Sequence, residues 1–311
     1  MAINTLALAE KMTGELDKAI VQKAVTGMFA DNAMRAKFVG AATVLIPNMD
    51  FYGLGNYDRD TGFAQGSITI ANESYELTMD RGRTFQLDAQ DCDETGIPGL
   101  AGQVMGEFVR TKVVPEMDAY CLSKLAKVAT DASQTPTGTT LANKSYSLFT
   151  EATNAAMANM GYDEELVAFV NPAFYADLMS TTEITRAITV QDFKKGEVSL
   201  KVKSINGIPI FPVSDARMKD SYTFYDGVTS TGTDQRTGGF VPASAAKDIG
   251  LLVLPRRAAS LVKKTEKIRV FSPDVNQTHD AWKFDYRLYY DIFVRKSMES
   301  GIYAFVYSTG D

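Results

Sequence analysis

The chain of 311 residues has one histidine, two cysteines and no run of eighteen apolar residues. A single histidine excludes a two-histidine metal site of the HExxH type. Because a membrane-spanning helix needs about 20 predominantly apolar residues, no membrane span is predicted. The N-terminal stretch lacks the basic start and continuous apolar segment of a secretory signal, and two isolated cysteines indicate a reduced, cytosolic setting. The length and a hydrophobic content of 45% are typical of a globular protein with a substantial core.

The chain also lacks a surplus of basic residues. It has 32 Lys and Arg against 38 Asp and Glu, a formal net charge of −6, whereas proteins that bind nucleic acid usually carry a basic surplus. Residues 46–96 contain ten acidic residues against three arginines, a net charge of −7, so the rest is close to neutral. Residues 254–270 contain six basic residues and one acid. Three interpretations of that stretch stay open: a solvated strand face, a nucleic-acid patch, or a partner for the acidic region.

Motifs of catalysis and cofactor binding are absent as well. The chain has neither the GxxxxGK[ST] phosphate loop nor the GxSxG nucleophile elbow. The acidic run "DAQDCDETG" (88–96) lacks the spacing of an EF-hand loop, so it is interpreted as the junction of a strand and a helix. Cys121 falls on the apolar face of a predicted helix and is interpreted as a core residue, although spacing leaves a pair with His279 open. We therefore predict no catalytic residue, no cofactor, no metal site and no enzyme activity; an enzyme with an unrecognised site is the alternative.

Hydrophobic periodicity predicts an α+β fold. Residues 4–29 have apolar residues at helical spacing but little bulk, which indicates an arm that needs a partner surface. Residues 43–88 are extended, and the alternation in "SYELTMD" and "RTFQLD" predicts two strands, with Gly82 between them as a hairpin turn or bulge. Acidic residues from Asp93 precede a long helix. We expect this helix to be kinked at Pro115, because proline removes a backbone donor.

The second half of the chain combines helices and strands. A helix is predicted over residues 147–160. Asn171 and Pro172 fit the cap and the first position of a short helix. Asn206 and Gly207 stand between apolar runs and predict a β-hairpin turn.

The C-terminal residues are rich in strands. Apolar and polar residues alternate across residues 282–294, which predicts the clearest strand of the chain. The segment "GIYAFVY" (301–307) is expected to pair with that strand. No internal repeat of 20 to 50 residues and no low-complexity tract is present.

The stretch "YELTMDRGRTFQLDAQDCDETG" (75–96) has no obvious core of its own. A two-stranded ribbon is marginal in water, and roughly forty residues of extended, glycine-broken chain are unusual inside one compact domain. We therefore expect the ribbon to pack on another copy of the protein, with charged side chains that set the register more than they add stability. The candidate inter-subunit contact residues are Asp80, Arg81, Arg83, Asp88, Asp91 and Asp93.

The order of these elements resembles that of tailed-bacteriophage major capsid proteins with the Hong Kong 97-like fold. The stretch 75–96 followed by "GEFVRTKVVPEMDAYCLSKLA" resembles their extended loop and spine helix, and "SINGIPIFPVSDARM" resembles their axial segment. The resemblance implies an N-terminal arm (1–42), an extended β-hairpin loop (43–92), a spine helix with the first part of a peripheral domain (93–138), an axial domain (139–259) and the second part of the peripheral domain (260–311).

The resemblance also implies a role. Pentamers and hexamers of the chain are expected to tile an icosahedral shell around double-stranded DNA, in a virion assembled in the bacterial cytoplasm. Expected partners are a portal protein and non-specifically enclosed DNA, without a membrane. Because no long scaffolding region precedes the arm, we expect either a separate scaffolding protein or an arm that has already been trimmed. The alternative is an encapsulin-like nanocompartment, which shares the fold but holds a cargo enzyme.

Overall fold

A computed structural model describes most of the chain. The described residues are 24–35, 37–39, 42–60, 62–88, 105–136, 141, 144–180, 188–195, 198–276 and 279–308. Most of the predicted arm helix, together with Cys92, therefore lies outside the described residues. The end of that predicted helix adopts a 3₁₀ helix instead, Val25–Arg35.

Three α-helices are described: α1, Val114–Asp131; α2, Ser145–Met160; and α3, Pro172–Ser180. A π-helical turn, Val109–Val113, and helical residues 105–108 precede α1 directly. Short 3₁₀ helices occupy Asp215–Arg217 and Lys296–Gly301. None of the helices in the described residues is long and apolar enough to cross a membrane.

Fourteen strands are described. They are β1 Lys37–Val39, β2 Thr43–Phe51, β3 Ile68–Glu76, β4 Met79–Asp88, β5 Leu166–Val170, β6 Ile188–Lys195, β7 Val198–Ile205, β8 Ile208–Pro212, β9 Tyr222–Phe224, β10 Phe240–Pro242, β11 Asp248–Pro255, β12 Ala259–Phe271, β13 Ala281–Val294 and β14 Tyr303–Tyr307. They form a six-stranded sheet (β14-β11-β5-β8-β7-β6), two three-stranded sheets (β1-β2-β3 and β12-β13-β4) and the pair β10-β9.

The centre of the six-stranded sheet is buried on both faces. Along β11, Leu252 and Leu254 join one hydrophobic cluster with α1 and β13, whereas Leu251 and Val253 join a second cluster with α2 and α3. Because alternate residues of a strand point to opposite faces, a strand between two cores must be apolar at every position. All eight residues of β11 and all five of β5 are buried, and the one charged residue among them, Asp248 at the start of β11, pairs with Lys219.

Several predictions from local sequence are confirmed, among them one turn, one helix cap, one helix and one core residue. Asn206 and Gly207 both have positive φ, 52° and 80°, and turn β7 into β8. The side-chain oxygen of Asn171 accepts a hydrogen bond of 2.8 Å from the Phe174 N–H at the start of α3. The predicted helix over 147–160 is α2, and Cys121 is buried in the core.

The predicted turn at Gly82 is wrong. Gly82 lies inside β4, which pairs with β13 along its whole length, so the ribbon has a neighbour within the chain. A Cβ atom at Gly82 would lie 2.9 Å from the carbonyl oxygen of Tyr286, so glycine is needed for close approach of two strands. The extended hairpin is formed instead by β2 and β3.

The predicted pairing of residues 301–307 with the strand at 282–294 is also wrong. β13 is a central strand, with β12 on one side and β4 on the other, so neither of its edges is open. The 3₁₀ helix Lys296–Gly301 redirects the chain, and β14 pairs with β11 at the edge of the six-stranded sheet.

The irregularity expected at Pro115 takes the form of the π-helical turn. The N–H of Val114 donates to the carbonyl of Val109, five residues earlier. Proline has no N–H and disturbs the preceding turn, and a local i→i+5 turn is a common accommodation inside an α-helix.

We expect Asn171→Ala to lower the free energy of unfolding by about 1–2 kcal/mol, because it removes the α3 cap and a hydrogen bond of 2.9 Å to the Tyr307 hydroxyl. Urea denaturation of the unassembled chain measures this. Asn154→Ala, on the exposed side of α2, is the matched control and should be neutral or slightly stabilising. Equal effects of the two substitutions would contradict the capping role.

Candidate inter-subunit surface

The β2–β3 hairpin has a buried base and an exposed outer part. Its ladder runs from Thr43 opposite Glu76 to Phe51 opposite Ile68. At the base, Val44 and Ile46 pack with Leu77, Val262 and Phe293 in a small hydrophobic cluster. Beyond that cluster the hairpin carries apolar side chains without an apolar layer to cover them.

Exposed apolar side chains are concentrated on this outer part. Of the twelve large hydrophobic side chains that are exposed among the described residues, eight lie between residues 49 and 70. They are Met49, Phe51, Tyr52, Leu54, Tyr57, Phe63, Ile68 and Ile70. A contiguous exposed apolar surface of this kind indicates a protein–protein contact, since single exposed hydrophobic residues are normally scattered.

The end of the hairpin is a turn, which we call the tip turn (residues 57–60, 62 and 63). Asp58 and Gly62 form an isolated antiparallel bridge, with N···O distances of 3.2 and 2.9 Å. The rings of Tyr57 and Phe63 flank the bridge, with centroids 4.9 Å apart, and are 62% and 87% exposed. The turn therefore presents a fixed aromatic pair to its surroundings.

The base of the hairpin is held by the buried carboxylate of Asp291 in β13. Lys124 Nζ lies 2.5 Å from one carboxylate oxygen, and the Tyr120 hydroxyl donates to the same oxygen at 2.9 Å. The other oxygen accepts from the N–H and the hydroxyl of Thr78, at 3.1 and 3.0 Å. Burial raises the pKa of Tyr120. Thr78 connects β3 to β4, so these contacts fix where the hairpin leaves the core.

A second buried carboxylate, Asp118 of α1, holds the described end of the arm. It accepts the Thr26 hydroxyl at 2.7 Å and the N–H groups of Val25 and Thr26 at 3.2 and 3.1 Å. Arg217 lies 3.1 Å away. Burial raises the pKa of this carboxyl. The arm thus enters the core at a defined point on α1.

Arg81, a predicted contact residue, has partners inside the chain. Its Nε lies 2.7 Å from Glu116, and its Nη1 and Nη2 donate to the carbonyls of Tyr225 and Gly239 at 2.7 and 3.2 Å. The guanidinium also lies over the ring of Phe224, 5.9 Å from its centroid. Arg81 therefore joins β4 to the helix and to both ends of the loop between β9 and β10.

Arg83 and Asp80 also have partners within the chain, and the hydrogen bonds of both lie at the surface. Arg83 Nη2 donates to the carbonyl of Arg236 at 3.0 Å. Asp80 forms a two-bonded ion pair with Arg287 across the strands, at 2.5 and 2.9 Å, and this guanidinium lowers the pKa of Asp80. The Asp80 side chain is 40% exposed, whereas Arg83 is half-buried, with its Nη1 against Gly227 and Gly238.

The acidic end of the predicted contact set is described only in part. Asp88 is the last residue of β4, opposite Ala281. Asp91 and Asp93 lie outside the described residues. An inter-subunit role of the six residues stays a prediction.

The basic stretch 254–270 has local partners. Arg256 lies 3.8 Å from Glu165, Arg257 pairs with Glu164, and Lys263 pairs with Glu266 at 3.1 Å. Each of these three charges thus has an ion-pair partner outside residues 46–96, and β12 meets the hairpin base through the apolar Val262.

A cleft of about 360 Å³ opens beside Arg81 and Arg83. Phe85 and Phe108 form an edge-to-face pair with centroids 4.8 Å apart, and Tyr286 lies 5.9 Å from Phe108. Lys112 and the loop between β9 and β10 complete the lining. We call this site the aromatic cleft.

Several residues of this surface are not evident from the sequence. Asp291 gives the clearest signal, since it stands within the otherwise apolar run "YYDIFV" (289–294), where a charge needs a partner. Asp118 and Glu116 lie on a predicted helix, where acids usually face solvent. The partners of Asp118 lie 92 or more residues away in the sequence, and the partner of Glu116 lies 35 residues away. Local sequence patterns do not extend over such separations.

The chain is similar in structure to virus capsids. The head structure of Helicobacter pylori bacteriophage KHP40 matches with a TM-score of 0.60 and 10% identity over 92% of this chain and 91% of that one. The capsid of cyanophage P-SCSP1u matches with a TM-score of 0.56 and 13% identity, over 88% and 85%. A virus-like particle from Pyrococcus furiosus matches with a TM-score of 0.53 and 10% identity, over 96% and 99%.

No protein-family model and no curated protein sequence matches the chain. The structural matches confirm the fold that the sequence predicts, the Hong Kong 97-like fold of tailed-phage heads.

We expect Arg287→Ala to return the pKa of Asp80 towards its ordinary value of 3.8, because it removes the hydrogen bonds and the charge that lower it. The pair contributes stability above the ordinary pKa and loses it as the pH falls through the lowered pKa, so the two proteins should converge in acid. A carboxyl NMR titration measures the pKa. Arg236→Ala, which removes the partner of Asp234, is the control and should leave Asp80 unchanged.

Arg81→Met and Arg83→Met should differ in their effect on folding. Arg81→Met leaves Glu116, which is only 14% exposed, and two backbone carbonyls without a donor. It should therefore lower the free energy of unfolding by about 2–3 kcal/mol. The second removes one exposed hydrogen bond and should cost less than about 1 kcal/mol. Denaturant unfolding of the unassembled variants measures both, and equal losses would contradict the internal role of Arg81.

Proposed function

We propose that this chain is the major capsid protein of a tailed bacteriophage and that its copies assemble into the icosahedral head shell around double-stranded DNA. The observation that carries the proposal is the β2–β3 hairpin with its loop, whose large apolar side chains stay exposed in the part of the chain that the structure describes. The similarity of the fold to phage heads supports it. The protein acts in the virion as a structural component, not as an enzyme.

The same proposal covers the partners and the division of the chain. Pentamers and hexamers form the shell, the hairpin lies over a neighbouring copy, and the arm reaches under one. Shell assembly takes place in the host cytoplasm with a scaffolding protein and a portal protein. The net charge of −6 suits a container that must not adhere to the DNA inside it. The domain boundaries given above and the six candidate contact residues belong to this proposal.

Electron microscopy and light scattering of the purified protein test the proposal. Closed shells or capsomer rings, alone or with a co-expressed scaffolding protein, are the expected result. The contents then separate the phage shell from the encapsulin-like alternative, since packaged DNA supports the first and a cargo enzyme the second. A monodisperse monomer under every condition would overturn both.

Of the two arginines, Arg83 is the suitable one for testing an inter-subunit contact. Charge reversal at Arg81 places a carboxylate against Glu116 and perturbs folding, so a failure to assemble would be ambiguous. Arg83 has one exposed hydrogen bond to the chain, and its reversal leaves the core intact.

We expect the combined substitution Leu54→Ser and Phe63→Ser to abolish assembly while the chain stays folded. Both side chains are exposed, so the free energy of unfolding should change by no more than about 0.5 kcal/mol each. Light scattering and micrographs measure assembly, and circular dichroism with thermal unfolding measures the fold.

The control for this pair is Tyr162→Ser, which removes an equally exposed side chain (79%) between α2 and β5. It should assemble normally. Normal shells from the hairpin variant would show that the exposed surface is not an assembly contact.

A further inference from the structure

The tip turn has a composition that suits a particular receptor. Its aromatic pair, Tyr57 and Phe63, is exposed and held in place by the Asp58–Gly62 bridge. Asp58, Arg59 and Asp60 lie at the turn itself, all exposed, and two carboxylates against one guanidinium give the turn a net charge of −1. A receptor for this turn needs an aromatic surface beside cations.

The aromatic cleft has these properties. Phe85, Phe108 and Tyr286 form one wall with edge-to-face contacts that leave ring surface towards the opening. The cations around it are Arg81, Arg83 and Lys112, and the carboxylates are Glu116 and Asp226. Three cations against two carboxylates give a net charge of +1. Because Arg81 neutralises Glu116 directly, the accessible positive charge lies on Arg83 and Lys112.

We propose that the tip turn of one copy docks in the aromatic cleft of a neighbouring copy. This inference rests on the proposed function and names the receptor surface on the second copy. The volume of about 360 Å³ admits an aromatic side chain. Phe63 packs against the Phe85–Phe108 wall, where edge-to-face geometry adds to the burial of apolar area. Asp60 then faces Lys112, and the opposite charges favour this register.

The docking also assigns different roles to Arg81 and Arg83. The loop between β9 and β10 forms one side of the cleft, and Arg81 holds both of its ends through Tyr225 and Gly239. Arg83 binds the same loop at Arg236, with its Nη1 against Gly227 and Gly238, and lines the cleft. Arg81 acts as a positioning residue for the cleft, whereas Arg83 contacts the incoming turn.

Site-specific photo-crosslinking tests the placement. A benzophenone amino acid replaces Phe63 in the full chain, particles are formed and irradiated, and the cross-linked peptides are identified by mass spectrometry. We expect inter-chain products that join the probe to peptides containing Phe85, Phe108 or the 225–239 loop. The same probe at Tyr162 is the control and should give none of these. Particles whose cross-links map elsewhere would overturn the docking and leave the shell in place.

A charge exchange tests the polar contact independently. Asp60→Lys and Lys112→Glu should each reduce the yield of particles at least about tenfold, because like charges then face each other across the contact. The double variant should restore the yield to near that of the unmodified chain. Asp60→Lys combined with Lys127→Glu, on the exposed side of α1, is the matched control and should not restore it.

The outcomes separate this inference from the proposed function. Single variants that assemble normally, or a double variant that stays defective beside normal shells of the unmodified chain, would overturn the docking alone. An unmodified chain that forms neither particles nor rings would overturn the shell and the docking together.

Discussion

The carboxylate of Asp291 is fully buried, and its donors come from three separate parts of the chain. α1 provides Lys124 and Tyr120, the connection between β3 and β4 provides Thr78, and β13 provides the N–H of Ile292. Removing a carboxylate from water costs several kcal/mol unless its partners are all in place. Helix, hairpin base and central strand are therefore stable only together, and the hairpin leaves the core in one direction.

The arm is held in the same way. Asp118 accepts three hydrogen bonds from Val25 and Thr26, and Arg217 supplies the compensating charge. Val25 and Thr26 at the described end of the arm, and Thr78 at the hairpin base, are thus each held by a buried carboxylate on or against α1. A protein whose outer segments contact neighbouring copies needs such fixed exits, since a small change in angle at the base is a large displacement at the tip.

The sequence predicts those parts of the fold that depend on neighbouring residues. The turn at Asn206 and Gly207, the cap at Asn171 and the alternation of β13 follow from backbone preferences and side-chain period alone. Gly82 could not be assigned in this way, because its partner strand lies about 200 residues later and the close approach of Tyr286 is visible only after pairing. The strand partner of β14 was predicted wrongly for the same reason, since its partner β11 lies about 50 residues earlier in the chain.

In the candidate inter-subunit surface, too, local features are predictable from the sequence and long-range contacts are not. The sequence pattern predicts the uncovered ribbon at residues 75–88, but β4 pairs with β13 within the chain. The exposed apolar side chains lie instead on β2, β3 and the loop between them. The partners of Arg81 lie 35, 144 and 158 residues away, so the sequence shows the charge without showing what it binds. At 10–13% identity to phage capsid structures, what is shared is the backbone fold and not the residues.

The π-helical turn before α1 is reflected in the sequence spacing of the buried residues. Met105, Val109, Val114, Met117, Cys121 and Leu125 are separated by four, five, three, four and four positions, and the interval of five spans the turn. One residue rotates an α-helix by about 100°, so the extra residue keeps both halves of the helix facing one core. Loss of a single codon here would thus act as a rotation: it would turn Phe108 out of phase with the helix that follows and away from Phe85 and Tyr286.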